Sequence, residues 1–133
     1  MSYLLDTNAC IRILTGSSER LVERLRAHDP REIKLCSIVK AELTSGSRKS
    51  ARVADNLRRL ADFFAPFESY PFDDACADHY GVIRSDLERQ GTPIGPNDLL
   101  IAATALAYGA TLVTHDQAEF GRVAKLRLED WEL

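Results

Sequence analysis

Tyr3-Leu4-Leu5-Asp6-Thr7-Asn8 opens the chain with three apolar residues, an acid and two small polar residues. The apolar run shows no polar alternation. That pattern suits a short strand buried on both faces, as in a parallel sheet covered by helices. Asp6 stands where such a strand ends. Thr7 and Asn8 are good helix-capping types, and Ala9-Cys10-Ile11-Arg12-Ile13-Leu14 reads as the first helix. In open parallel sheets ligands bind beyond the carboxyl ends of the strands. Asp6 is therefore placed either to cap the helix or to hold a cation.

The rest of the chain repeats the strand-then-helix pattern. Ser18 caps a helix from Glu19 to about Ala27, and Asp29-Pro30 closes it. Ile33–Cys36 reads as a second strand, with Ser37 capping a helix that carries Val39, Leu43 and Gly46. A helix over about Ala51 to Phe64 places Val53, Leu57, Leu60 and Phe64 on one face, and Pro66 stops it. Phe67–Phe72 is a short third strand, and Asp73 or Asp74 caps a helix through Gln90. Pro96 suits a first helical turn, and Asp98 through Tyr108 form an alanine-rich apolar helix stopped by Gly109. Ala110–Thr114 is a fourth strand, Asp116–Phe120 a short helix, and Lys125–Leu128 a last strand. The alternation predicts an α/β fold of three layers: a short, mainly parallel sheet of four to five strands flanked by helices.

With 133 residues and neither repeat nor linker, the chain is expected to form one domain, residues 1–133. No apolar run approaches the ~20 residues of a membrane helix. The first apolar run is too short for a signal peptide, so a cytoplasmic location is expected. Cys10, Cys36 and Cys76 are far apart and odd in number, which argues against a disulfide framework or a zinc site. A net charge of −3 excludes broad, non-specific nucleic-acid binding through a basic surface. It leaves room for a local basic patch beside an acidic cleft, with Arg12, Lys40, Arg48, Lys49 and Arg84 as candidates to steer phosphates.

Four acids share a placement. Asp6 follows the first strand, Glu42 lies in the helix after the second, Asp98 is in the first turn of the apolar helix, and Asp116 follows the fourth strand. Right-handed crossovers bring strand ends and helix starts to one sheet edge, so the four can meet. At ~4 Å two carboxylates repel by about 4 kcal/mol at an effective dielectric of 20. Protonation or a divalent cation must relieve this. Hard oxygen ligands select Mg²⁺, or Mn²⁺ as a substitute, over zinc. Such a metal suits phosphodiester hydrolysis, with no covalent nucleophile needed. Each acid also has a plainer role. Glu42 can be a solvated charge, although Gly46 one turn on leaves space above it. Asp98 can favour the positive end of its helix. Asp116-x-x-Glu119 can be a capping box.

The ordered set of segments resembles the PIN-domain family, and within it the VapC toxins of bacterial toxin–antitoxin pairs. The segments are Leu4–Asn8, Val39–Gly46, Ile94–Ala103, Leu112–Phe120 and Leu126–Trp131. The resemblance implies a Mg²⁺-dependent endoribonuclease acting on structured RNA, especially a tRNA loop. It implies Asp6, Glu42, Asp98 and Asp116 as catalytic acids, with Asp6 and Asp98 contacting the metal. His115-Asp116 departs from the Asn-Asn or Asn-Asp of many relatives, which leaves open whether Asp116 or Glu119 completes the site. The resemblance further implies a homodimer and a DNA-binding, VapB-like antitoxin that blocks the cleft.

Two other functions compete. One is a binding module that acts mainly as the antitoxin's corepressor partner, with little nuclease turnover. The other is an aspartyl-phosphate phosphatase with Asp6 as nucleophile. The second acid such an enzyme needs two residues on is absent, because that place is Asn8.

Overall fold

Leu4 and Leu5 are wholly buried, as a strand covered on both faces requires. The computed structural model describes residues Met1–Leu133. In chain order the elements are β1 (Tyr3–Leu5), α1 (Thr7–Thr15), α2 (Glu19–Ala27), β2 (Ile33–Cys36), α3 (Ser37–Arg48) and α4 (Val53–Phe64). Then follow β3 (Glu68–Tyr70), α5 (Asp74–Gln90), α6 (Pro96–Tyr108), β4 (Thr111–Val113), α7 (Gln117–Phe120) and β5 (Leu128–Glu129). A 3-10 turn, Pro30–Glu32, joins α2 to β2 and is closed by a full capping box from Asp29 and Glu32.

The five strands run in the order β3-β2-β1-β4-β5, and every pairing is parallel. The expected mainly parallel sheet is thus wholly parallel. With right-handed crossovers, α1 to α4 cover one face and α5 to α7 the other. The strand order reverses between β1 and β4. The carboxyl edge at that switch point is the usual ligand position in such sheets.

The core is built from short apolar strands and one apolar helix. Ile33, Leu35, Ile101, Leu112 and Val113 are almost wholly buried, each contributing roughly 1.5–3 kcal/mol by leaving water. In α6 the small residues Ala102, Ala103 and Ala105 are buried, which lets the helix lie close against its neighbours. Thr104 is also buried, and its hydroxyl donates to the Leu100 carbonyl at 2.9 Å, so it leaves no polar debt. Gly109 ends α6 in the left-handed region at φ 64, a conformation that costs other L-residues energy.

One local choice is settled and two expectations are corrected. Of the capping candidates Asp6, Thr7 and Asn8, it is Asp6 that caps α1, as one of its two readings expected; Thr7 and Asn8 are already helical. The helix starts straight out of β1, so the first residue past the strand takes the capping position. Likewise α3 starts straight out of β2, with Cys36 at its N-cap and no side-chain cap bond. Ser37 is already helical. The last strand is Leu128–Glu129 rather than Lys125–Leu128. Lys125 has φ 68, which breaks extension there, and only Leu128 and Glu129 lie in register with the three-residue β4, Arg127 giving just its carbonyl to the Leu112 N–H at 2.9 Å.

The C-terminal segment is fastened by aromatic rings. His28 stacks on Trp131 with centroids 4.7 Å apart, and Tyr3 tilts against Trp131 at 5.3 Å. The Trp131 indole N–H donates to Glu129 at 3.0 Å. All three thiols, Cys10, Cys36 and Cys76, are free and buried, and burial pushes each pKa up. No helix is long and apolar enough to cross a membrane.

Candidate active site

Asp6 sits at the β1/β4 switch point, directly after β1. Its backbone N–H donates to Val113 O at 3.1 Å, which continues the β1–β4 ladder by one residue. Its side chain is buried, and Oδ1 accepts the Ala9 N–H at 2.7 Å. Capping and burial therefore coexist at this residue. Burial pushes its pKa up, while the Thr114 side chain, the Ala9 N–H and the Arg12 charge pull it down. The charge of Asp116 adds to the upward push.

Asp116 lies past the end of β4. Its N–H donates to the Thr114 hydroxyl at 3.0 Å, and its Oδ1 accepts the Glu119 N–H at 2.9 Å. Half of the expected capping box is therefore present. The Glu119 carboxylate turns away from the box and accepts the Gly95 N–H at 2.5 Å. This bond ties α7 to the loop before α6. A Cβ at Gly95 would lie 3.4 Å from Glu119 Oε1 and 3.6 Å from Asp98 Oδ2, so the backbone passes close to both acids.

Asp98 occupies the third position of α6. It, Asp116 and Glu119 each offer a carboxylate oxygen within 4.8 Å of the others. A helix N-terminus by itself would lower the pKa of Asp98. It is instead raised to about 6, first by burial and then by the charges of Glu119, Asp6, Glu42 and Asp116. Burial and four like charges outweigh the helix dipole. The four acids anticipated from sequence thus act on one another, and Glu119 joins them.

Glu42 is half-buried and held by a bond that sequence reading missed. The Thr7 hydroxyl donates to its Oε1 at 2.6 Å. Thr7 looked like a capping residue; its position immediately after Asp6 was the available signal. Gly46 has nothing within 4 Å of a notional Cβ, consistent with the space expected above Glu42. Glu42 and Gly46 line a groove of about 420 Å³ together with Ile11, Leu14, Leu43 and Ser50. His115 takes another direction: its Nδ1 is 2.8 Å from Asp130 Oδ2 and 4.0 Å from Glu132 Oε2.

None of the five acids has a salt-bridge partner, although nine other carboxylates in the chain do. A largely sheltered, all-oxygen set without a salt-bridged counter-charge fits a hard divalent cation.

Comparison with known proteins adds to this geometry. The PIN domain profile matches residues 3–126. The chain is 39% identical to Ribonuclease VapC2 of Rickettsia felis over 133 residues, covering 99% of each chain. It is 37% identical to the tRNA(fMet)-specific endonuclease VapC of Salmonella typhimurium over 131 residues, covering 98% of each. Among solved structures, VapBC2 from Rickettsia felis bound to a DNA fragment from its promoter superposes with a TM-score of 0.91. The identity there is 39%, covering 98% of this chain and 99% of that one.

Proposed function

The chain belongs to the PIN-domain family, among the VapC ribonucleases, and from that premise we propose that it is a Mg²⁺-dependent endoribonuclease toxin. Its substrate is structured RNA of the tRNA class, as the name of the Salmonella relative suggests. The observation that carries the reading is Asp98, pushed up to about 6 among Asp6, Glu42, Asp116 and Glu119 with no salt-bridge partner for any of them. That arrangement is unfavourable in the bare protein and becomes favourable when a cation arrives.

Asp98 and Asp6 are the residues assigned to hold Mg²⁺, with Asp116 and Glu119 completing the oxygen set. Bound there, the cation supplies Lewis acidity: it favours hydroxide from water and offsets charge on the phosphate. The protein's own part is positioning. Thr7 fixes one oxygen of Glu42, the Ala9 N–H fixes one of Asp6, and the Gly95 N–H fixes one of Glu119. Each carboxylate is thereby held before any ligand arrives, so little ordering entropy remains to be lost on binding.

The relatives crystallised as VapBC complexes on DNA support a DNA-binding, VapB-like antitoxin as partner. A homodimer of this one nuclease unit, residues 1–133, is the proposed assembly. The corepressor-only reading finds no use for unpaired acids gathered at one edge. Purified, antitoxin-free protein is expected to cut tRNA with Mg²⁺ and to stop with EDTA, and Asp6→Asn or Asp98→Asn to abolish cutting. Full cleavage by both variants refutes the reading.

A further inference from the structure

RNA brings a negative charge with every phosphate into a cleft that already holds five carboxylates. Juxtaposed like charges cost several kcal/mol, and a metal relieves only part of this. A cationic side chain near the cleft would relieve more of it. Arg12 lies on α1, the helix that Asp6 caps. Side chains on a helix lean toward its N-terminus, which carries the guanidinium back toward the carboxyl edge of the sheet. Its charge acts on Asp6.

Arg12 is aimed by a short relay from the other side of the switch point. Its Nη1 donates to Glu132 Oε2 at 2.5 Å, its one side-chain hydrogen bond. The Glu132 N–H donates to Asp130 Oδ1 at 3.0 Å, and Asp130 Oδ2 lies 2.8 Å from the His115 ring. His115 immediately precedes Asp116. Trp131, packed under Tyr3 and His28, fixes the segment between Asp130 and Glu132. The Glu132 side chain is 16% exposed and that of Arg12 is 37% exposed. The tether is therefore mostly covered, while the guanidinium still reaches solvent.

The form of this contact leaves part of the guanidinium unused. Here a single prong is used, and Nε and Nη2 keep their donors free. Two adjacent donors on a planar cation match two phosphate oxygens. The same contact excludes a different reading of this corner. His115, Asp130 and Glu132 bring ligand atoms within 4.8 Å of one another, but a metal among them would meet a guanidinium already on Glu132.

We propose that Arg12 is a phosphate-binding residue of the nuclease cleft, held by Glu132 through Nη1 so that Nε and Nη2 face the RNA backbone beside the scissile bond. Glu132 is then a positioning residue. The inference rests on the nuclease reading above for its location, and its test separates the two.

The test uses the full chain free of antitoxin and a fluorescein-labelled tRNA transcript. Cleavage kinetics are measured in Mg²⁺. RNA affinity is measured by anisotropy in the Asp98→Asn background, where turnover is removed. Arg12→Ala is expected to weaken RNA affinity, and to raise KM, by about tenfold or more. The slope of log affinity against log salt should fall by about one. Arg12→Lys should recover part of the loss as a point charge, and Glu132→Gln should cost roughly threefold. Mg²⁺ affinity of Arg12→Ala in the absence of RNA should stay within about twofold of the parent or tighten. RNA affinity within about twofold of the parent, an unchanged salt slope, or a matching loss of Mg²⁺ affinity overturns the proposal. If Arg12→Ala does not fold, Arg12→Lys decides in its place: an unchanged KM and salt slope overturn it, a raised KM supports it. A wild-type chain that cuts nothing, with the Arg12→Ala loss of RNA affinity intact, overturns the nuclease reading and leaves the RNA contact standing.

Discussion

The acids at the carboxyl edge of the sheet and two acids on α5, Asp86 and Glu88, are the same chemical groups arranged in opposite ways. On α5, Glu88 accepts from Arg84 at 2.6 Å and Asp86 from Arg89 at 3.2 Å, with all four side chains well exposed. Each of these two acids has a partner one turn away and water around it. At the sheet edge Asp6 is buried, Asp98 is pushed up to about 6, and none of the five acids is paired. The contrast separates two uses of charge. The α5 pairs contribute at most about 0.5 kcal/mol each; Arg84–Glu88 has the less favourable order with the basic residue first, and Asp86–Arg89 the reverse. The cleft forgoes such pairs and holds repulsion in store, which a bound cation can release. Unpaired charge within reach of good partners elsewhere in the same chain marks function rather than stability.

Removing the repulsion from the cleft tests its role most directly. Asp98→Asn should lower RNA cleavage by about a hundredfold or more. The same substitution should raise the melting temperature of the metal-free protein by a few degrees, because an amide ends the crowding. Cleavage assays and thermal melts in EDTA check both. A drop in melting temperature would mean that Asp98 is a structural acid, as those of α5 are. Thr7→Val tests the next layer: it keeps the shape but removes the donor to Glu42. Cleavage should fall by about tenfold, within the range for groups that orient ligands, while the melting temperature changes little.

A third measurement follows from protonation. Asp98 ionises near 3.8 when exposed and near about 6 in the fold. Between those values the folded state binds the extra proton. The stabilisation from the neutral form is present in full below 3.8 and is lost as pH rises through about 6. Metal-free protein should therefore melt at a higher temperature at about pH 5 than at about pH 7.5, as far as this group decides it. Mg²⁺ should shrink that difference, because it favours the ionised form. The smallest effect belongs to the control region: Glu88→Gln on α5 should change stability by less than about 0.5 kcal/mol and leave cleavage unaltered.

Much of this contrast was legible in the sequence, for identifiable reasons. The run Tyr3–Leu5 had no polar alternation, so it fixed a doubly covered strand and with it the position of Asp6. Pro96 and Gly109 bracketed α6 because each fits only one end of a helix. The four acids were readable as a set because parallel crossovers deliver strand ends and helix starts to one edge. Hydrogen bonds that join distant segments were not readable. The Thr7–Glu42 bond spans 35 positions and the Gly95–Glu119 bond spans 24. Local spacing carries no trace of either. The last strand was misplaced because Lys125–Leu128 alternates correctly, while strand bounds depend on which amides of β4 remain free to pair.

The three buried thiols turn the protein into its own stopwatch. A sheltered thiol reacts with a bulky aromatic disulfide only when its surroundings open, and its raised pKa holds back background reaction. Cys10 lies in α1, Cys36 at the end of β2 and Cys76 in α5, so each reports on a different part of the sheet's covering. The order in which they react, with and without Mg²⁺, would show which part of the molecule lets go first and whether loading the cleft tightens the near side alone.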